Sequence, residues 1–514
     1  MKSKNLTIFR IKSIFFSLLI ISSLFGSTGR AAFAQNTGKT GDNKGDNNKG
    51  AASSTGKRPL IIIPGITGSQ IISTKTNKPV WFTFNFSRDE EDDLRLPMST
   101  NFRQDTDTLA ASDIIREVKL PGILKILPEI GVYGDALKAI EDKGYTEGDW
   151  NNPKAEDVYY VFAYDWRRDN VENAQLLISK IEALKAGLKR PDLKFNLIAH
   201  SMGGLIARYA AMYGKADLSV SKRAPRPTWA GAKHINKILL FGTPNEGSFS
   251  AFEVLTKGYS IAGRKLPFVR DLSPEDVFSV PSVYQLLPTN SASTFLNENL
   301  KPIQIDLYSP ANWIKYNWGA IGSQKFLGKL KDAATIPGVK PDDWKPKNVD
   351  DKILADTTYA QAKAFLTAAL SRAQIFHQAL DVSIRKAPVE IYAYGSECAP
   401  TLNAVVLKYD EKNKEWDTIT GAEKIKNSNG TEFSKEEVAK AIYADGDGRV
   451  TRRSFLSEIK SPVKTGKTVA QTIFPIKSSF FFCSEHQKLL SDQTIQTNYL
   501  TALAAEAAAS NVLK

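Results

Sequence analysis

Cysteine is nearly missing from this chain of 514 residues: Cys398 and Cys483 are the only two. So sparse a supply excludes a small scaffold stapled by many bridges. In an oxidising compartment a pair with no spare is a candidate disulfide, although two cysteines alone do not prove one. Histidine is scarce as well, at four residues, so a search for an imidazole base is short. Beyond residue 34 there is no apolar run of the roughly 20 residues that a membrane-crossing helix needs, and no transmembrane segment is expected in the mature chain. Nor does any long basic run or nucleic-acid-binding module stand out, so no nucleic-acid partner is expected.

What is present begins with an address. Lys2, Lys4, Arg10 and Lys12 form a basic start, Ile14 to Phe25 an apolar core, and Ala32-Phe33-Ala34 a small-x-small cleavage site. That order is the order of a secretory signal peptide over residues 1–34, so the mature chain is expected to start near Gln35 and to be secreted, extracellular or periplasmic. No cysteine lies near the cleavage site, so a lipid-anchored N-terminus is not expected. Residues 35–57 are rich in Gly, Asn and Lys with almost nothing apolar besides Ala51 and Ala52. Burial cannot offset their ordering entropy, and a flexible linker is expected there. The folded part is expected over residues 58–514. The formal charge is +13, and residues 1–34 hold five of the positives and no acid, which leaves +8. Such an excess suits an anionic membrane surface or an ordinary mixed, solvated one.

The stretch that organises the rest is Phe195-Asn196-Leu197-Ile198-Ala199-His200-Ser201-Met202-Gly203-Gly204-Leu205-Ile206-Ala207-Arg208-Tyr209. A short apolar run ends at Ser201, two glycines follow, and Leu205, Ile206, Tyr209 and Ala210 recur at helical spacing. The spacing predicts a strand, a sharp turn and a helix, with the serine hydroxyl held clear of the sheet. This is the nucleophile elbow of α/β-hydrolases, Gly-x-Ser-x-Gly with Ala199 in the first place. Upstream, Leu60 to Ile63 reads as a buried strand closed by Pro64-Gly65, after which such folds place one oxyanion-hole N–H; Ile66 and Met202 are the candidate donors. Helices are predicted over residues 132–143 and 171–188, and strands over 158–164, 235–241, 388–395 and 479–485, the last with His486 just past it. The rhythm breaks between about Phe252 and Ala387, where a cap over the catalytic face is expected, with Tyr359 to Leu380 its clearest helix. The irregular stretch Trp81 to Asp107, with the acidic run Asp89 to Asp93, reads as a lid loop. Trp313 and Trp318 in the cap suit either a lipid interface or the cap's own core.

An α/β-hydrolase takes its triad in the order Ser, acid, His. His200 adjoins Ser201 on a strand, where alternation turns it to the other face. His234 precedes every candidate acid, and His377 reads as structural on the edge of a cap helix. His486 alone follows a late strand in the required order. The acid stays open between Glu397, which directly follows a strand, and Asp445 or Asp447 in a Gly-rich turn. That turn suits a rigidly fixed carboxylate; Arg449 and Val450 stand where a calcium loop needs a ligand and a glycine, so no metal site is expected.

One ordered set of motifs goes further. Pro64-Gly65 with Gly68-Ser69 and Trp81, Tyr164-Asp165-Trp166-Arg167, Ala199-His200-Ser201-Met202-Gly203-Gly204, Gly242-Thr243-Pro244 with Gly247-Ser248, Pro281-Ser282 to Leu287-Pro288, and Gly446-Asp447-Gly448 before Val450 occur in sequence. The chain resembles the lecithin:cholesterol acyltransferase family over almost all of residues 59–486. The resemblance implies an α/β-hydrolase fold with an inserted cap, no cofactor, and lipid substrates met at a membrane or lipoprotein-like interface. It implies Ser201 as nucleophile, Asp447 as acid, His486 as base, and Ile66 and Met202 as oxyanion donors. Arg449 departs from the threonine of the family's usual Gly-Asp-Gly-Thr-Val. The family's fold also implies that Cys398 and Cys483 follow strands at the catalytic edge, where a bridge would brace the loops bearing Asp447 and His486. The implied activity is O-acyl transfer from a phospholipid; a secreted lipase or phospholipase with the same triad, and a catalytically silent lipid-binding protein, are the alternatives.

Overall fold

The computed structural model describes residues 56–82, 94–103, 107–117, 133–218, 226–260, 271–346, 349–381, 386–462, 468–472 and 474–512. The expected signal peptide, residues 35–55 of the expected linker and the acidic run Asp89 to Asp93 lie outside the described residues.

Seven strands build the central sheet: β1 (Leu60–Ile63), β2 (Thr146–Glu147), β3 (Val158–Val161), β4 (Phe195–His200), β5 (Ile235–Phe241), β6 (Glu390–Gly395) and β7 (Ile476–Phe481). They stand in the order β7-β6-β5-β4-β1-β3-β2, and every pairing is parallel. A strand inside a parallel sheet is covered on both faces, so it reads as an unbroken apolar run; β1, Leu-Ile-Ile-Ile, is buried at every position. Alternate side chains serve opposite layers. Ile61, Ile63, Leu197 and Ala199 pack with Val171, Ala174, Leu177 and Ile178 of the helix Asn170–Gly187. Leu60, Ile62, Ile198 and Phe241 meet Leu137 and Ile140 of Gly134–Glu141 and Ile495 and Tyr499 of Gln493–Val512. A parallel sheet between two helical layers, with an insertion after β5, is the α/β-hydrolase fold. Its strands start or stop a few residues from the predicted bounds, as element ends do.

The insertion between β5 and β6 forms the cap. Its long helix, Tyr359–Leu380, opens on a capping box in which Thr358 and Gln361 satisfy each other's backbone N–H groups. Phe365, Leu366, Leu370 and Phe376 make its buried stripe, and His377 is buried at the edge of that stripe. The cap is bolted down by charge. Arg372 reaches Asp169, the N-cap of helix Asn170–Gly187, at 2.8 Å and Asp217 at 2.8 Å, while Gln285 donates to the same Asp169 carboxylate at 2.7 Å. From the lid side, buried Arg95 donates to Asp276 at 2.9 Å and Arg167 pairs with Asp107 at 2.6 Å. Removing one partner of such a pair strands a buried charge, which makes these contacts strong anchors for the cap and lid.

The cap also reaches past residue 387, the boundary expected from the sequence. The hairpin Ala404–Asp410 and Glu415–Ile419 joins the cap strands Thr294–Asn297 and Pro302–Ile303 in one four-stranded sheet, with Ala404 in parallel register with Thr294. The strand that this hairpin joins lies more than a hundred residues upstream, beyond the reach of periodicity.

Trp313 and Trp318 are cap core, each 1% exposed. Phe295 stacks on Trp318 at 5.3 Å, Phe252 meets it edge-on at 5.1 Å, and the indole N–H groups donate to the Leu307 carbonyl and the Thr418 hydroxyl. Loss of so large a buried ring costs about 3–5 kcal/mol. Trp318→Ala is therefore expected to lower the melting temperature and to reduce activity on vesicles and on a short soluble ester alike. A loss confined to vesicles, with an unchanged melt, would assign Trp318 to the lipid-facing surface instead.

Candidate active site

Strand β4 ends at His200, helix Met202–Tyr213 begins two residues later, and Ser201 makes the turn between them at φ 52° and ψ −124°. A non-glycine residue pays for such a conformation with strain that its surroundings must hold in place. Here the helix crosses the sheet too closely for side chains: a Cβ on Gly203 would lie 2.5 Å from the Pro64 carbonyl oxygen, and one on Gly204 1.9 Å from Thr243 Oγ1. Ser201 N–H donates to the Phe241 carbonyl at 2.8 Å, which fixes the turn to the end of β5.

Around Ser201 the structure brings together residues from distant parts of the chain. Ser201 Oγ lies 2.9 Å from His486 Nε2, and His486 Nδ1 lies 2.7 Å from Asp447 Oδ2. Asp447 is 3% exposed. Its other oxygen accepts from the Arg449 and Val450 N–H groups at 2.9 and 2.7 Å, and its carbonyl accepts from His486 N–H at 3.0 Å. The Arg449 contact to that carboxylate is made by its backbone N–H, which a threonine would supply equally, so the exchange leaves this contact intact. Glu397 is elsewhere: its side chain is 42% exposed and pairs with Arg452 at 2.6 Å. Asp445 lies in the strand Tyr443–Gly446, opposite Pro400, and is exposed. Ile66 lines the same pocket as Ser201, and the N–H groups of Ile66 and Met202 have no hydrogen-bond partner among the described residues.

His200 was expected to face away from Ser201, and it makes no hydrogen bond to that hydroxyl. It is nevertheless part of the site. Its ring lies 5.0 Å from the His486 ring, its Nε2 is 2.9 Å from the His486 carbonyl oxygen and its Nδ1 is 3.0 Å from the Tyr133 hydroxyl. Alternation along β4 dictates a face, but which loop later returns to cover that face is a tertiary matter. Burial pushes the His200 pKa down to about 3, with the neighbouring His486 adding to the effect. His200 is therefore a neutral imidazole, and since Nε2 meets a carbonyl, which only accepts, the proton sits on Nε2.

A pocket of roughly 120 Å³ opens over Ser201. Cap helices Phe249–Lys257, Pro274–Phe278 and Pro281–Tyr284 contribute Val254, Val277 and Val283 to its wall, with Trp166, Leu286 and Val450 beside them. The wall is mostly apolar and Arg449 lies on it. Among the described residues no group of three or more His, Cys, Asp or Glu could hold a metal ion, and no helix is long and apolar enough to cross a membrane.

The family model for lecithin:cholesterol acyltransferase matches residues 129–490, more than half of the chain. The chain belongs to the lecithin:cholesterol acyltransferase family. No curated protein matches it. Among solved structures, a chain of the Tle4–Tli4 complex is 12% identical, covers 89% of this chain and 99% of its own, and has a TM-score of 0.50. EstA from Clostridium botulinum is 10% identical over 87% of each chain, with a TM-score of 0.31. A lipase from Bacillus licheniformis, BlEst2, is 13% identical over 59% of this chain and 90% of its own, with a TM-score of 0.18. At 12% identity the first of these bears on the fold alone. Family membership makes the chain a lipid-acting esterase or acyltransferase.

Within this family member the two cysteines meet. Cys398 and Cys483 form a disulfide with a Cα separation of 5.3 Å. Cys398 follows β6 and Cys483 follows β7, the neighbouring strand at the sheet edge. Directly after Cys398 the strand Ala399–Leu402 pairs with Tyr443–Gly446, which ends beside Asp447; His486 stands three residues after Cys483. The bridge thus ties together the bases of both loops. Closing an 85-residue loop constrains the unfolded chain by roughly 4–5 kcal/mol. Titration of the denatured, unreduced protein is expected to find no free thiol, and Cys398→Ser with Cys483→Ser to lose stability of that order. Two reactive thiols would contradict the bridge.

Proposed function

We propose that the protein is a secreted serine-dependent O-acyltransferase that moves a fatty acyl group from a phospholipid ester to an alcohol or to water. The observation that carries this reading is the hydrogen-bonded chain from Asp447 through His486 to Ser201, buried beneath an apolar pocket in a member of a lipid-acting family. In this mechanism His486 Nε2 accepts the Ser201 hydroxyl proton as Oγ bonds to the ester carbonyl carbon. Asp447 holds Nδ1–H and balances the imidazolium. The carbonyl oxygen becomes an oxyanion that the Ile66 and Met202 N–H groups receive. Collapse breaks the ester C–O bond, and His486 returns the proton to the departing lysophospholipid oxygen, leaving acyl-Ser201. An alcohol or a water then gives its proton to His486 and attacks the acyl carbon; the acyl carbon–Oγ bond breaks, and His486 returns the proton to Ser201 Oγ.

Other features agree with parts of the reading. An apolar pocket suits an acyl chain. A disulfide is the state expected of a secreted protein, in keeping with the signal-peptide pattern of residues 1–34. The second reading, a secreted lipase or phospholipase, uses the same residues and differs only in whether water or an alcohol reaches the acyl-enzyme. A silent lipid-binding protein would have no need of an ordered serine, histidine and buried aspartate.

Phospholipid vesicles with and without a long-chain alcohol or sterol separate these readings. Acylated alcohol in excess of free fatty acid is the expected outcome. Free fatty acid alone would make the protein a hydrolase, and neither product would leave it a binder. Asp447→Asn is expected to lower turnover by about 10⁴-fold with folding nearly intact, and a covalent serine probe to label the native protein but not Ser201→Ala. A comparable loss from Glu397→Gln, with Asp447→Asn still active, would reassign the acid.

A further inference from the structure

Two buried phenols meet a single peptide unit beside Ser201. The Tyr164 hydroxyl donates to the Pro64 carbonyl at 2.8 Å, and the Gly65 N–H donates to the Tyr133 hydroxyl at 2.8 Å. That carbonyl and that N–H are the two ends of one planar amide, so the plane is held from opposite sides. The next amide is held too, because the Gly65 carbonyl accepts from the Gly68 N–H at 3.1 Å. In a trans peptide the C=O and N–H point in opposite directions, which turns the Ile66 N–H away from Gly68. Tyr133 and Tyr164 are both buried, and burial pushes both phenols above the ordinary tyrosine range, so they remain protonated donors.

The clamp continues to the other side of the site. Since His200 Nε2 carries the proton, Nδ1 accepts from the Tyr133 hydroxyl at 3.0 Å while Nε2–H donates to the His486 carbonyl at 2.9 Å. One hydrogen-bonded path therefore runs from the Pro64–Gly65 peptide to the backbone of His486. The loop needs outside help for a steric reason. A Cβ at Gly65 would lie 2.9 Å from Ser201 Cβ, so the position next to the nucleophile must be glycine, the residue with the most backbone freedom. Pro64 has no N–H with which to fix the turn from within.

We propose that Tyr133 and Tyr164 are positioning residues that aim the Ile66 N–H at a developing oxyanion, with His200 tying their clamp to the base loop. The proposal rests on the acyl-enzyme reading above. The phenols act through the amide they hold, and the Tyr164-Asp165-Trp166-Arg167 motif thereby acquires a role for its first residue.

The test uses the full chain with Tyr133→Phe and Tyr164→Phe, which remove one oxygen each. A short soluble ester gives kcat and KM, and a trifluoromethyl ketone of the same chain length gives the affinity for a tetrahedral adduct whose oxyanion occupies the same place. Loss of an entire oxyanion donor costs about 10²–10³-fold, and misdirecting one is expected to cost about tenfold. The expected result is that fall in kcat, with KM within about twofold, and an equal fall in ketone affinity. His200→Gln, whose amide N–H can still reach the His486 carbonyl, is expected to retain more activity than His200→Phe. Unchanged kcat, or a fall in kcat with unchanged ketone affinity, would overturn the proposal. If one tyrosine variant fails to fold, the other carries the test, since both hold the same amide; if both unfold at the assay temperature, the phenols are structural and the proposal is overturned. A wild-type protein that neither cleaves the ester nor reacts with a serine probe would overturn the acyl-enzyme reading and this proposal together, whereas an active wild type with unaffected variants would overturn this proposal alone.

Discussion

The constraint on which the site depends is the closeness with which helix Met202–Tyr213 crosses the first strand of the sheet. Gly203 and Gly204 have no space for a Cβ because Pro64 and Thr243 are already there. The same crossing holds Ser201 at φ 52°, a conformation that costs of order 1–3 kcal/mol and persists only where packing on every side enforces it. That enforcement comes from β1, β4 and β5, buried in the middle of a parallel sheet. A deeply buried part of the molecule thus carries the residue whose placement tolerates least error. The loops around it are then held by reference to the same strands, at the Phe241 carbonyl for Ser201 and at the Pro64–Gly65 peptide for its neighbours.

The remaining site groups arrive from far along the chain and are fastened one to another. Asp447 receives two backbone N–H groups from its own turn and gives its carbonyl to the His486 N–H. His486 in turn lends its carbonyl to His200, which belongs to β4. The disulfide joins the loops that lead to both. Over this assembly the cap is held by ion pairs, from partly buried Arg372 to Asp169 on the hydrolase scaffold and from buried Arg95 to Asp276 in the cap, so its apolar wall keeps a fixed relation to Ser201. Hydrophobic burial fills the cap, while directional ion pairs orient it, since apolar contact alone does not choose a direction.

Local chemistry was enough to read the scaffold. The apolar runs of β1, β4 and β5 have no polar alternation and so announce strands covered on both faces, and the glycines after Ser201 announce the elbow. Reading stopped where an answer depends on what comes to lie opposite. Trp313 and Trp318 carry the same composition whether they face lipid or their own cap, and only the arrival of Phe252, Phe295 and Thr418 decides for the core. His200 was assigned a face correctly with respect to the Ser201 hydroxyl, yet its partners come from Tyr133 and from the loop after β7. Tyr133 belongs to no motif, and nothing in its neighbourhood signals that its hydroxyl meets Gly65.

By itself, then, the sequence determined the parallel α/β scaffold, the serine turn and the family, because each is written in short-range patterns of size, apolarity and backbone freedom. It also narrowed the candidate base to His486 by scarcity and order. The residues alone left Glu397, Asp445 and Asp447 open as the acid, and only resemblance chose among them. Tertiary structure decided that Asp447 is the buried carboxylate beside His486 while Glu397 turns to solvent and Arg452. It likewise decided the shared cap sheet, the pairing of the cysteines and the tyrosine clamp on the Pro64–Gly65 peptide. The physical reason is the same in each case: a hydrogen bond, a bridge or a buried contact between residues tens to hundreds of positions apart depends on where the whole chain has folded, and no local window contains both partners.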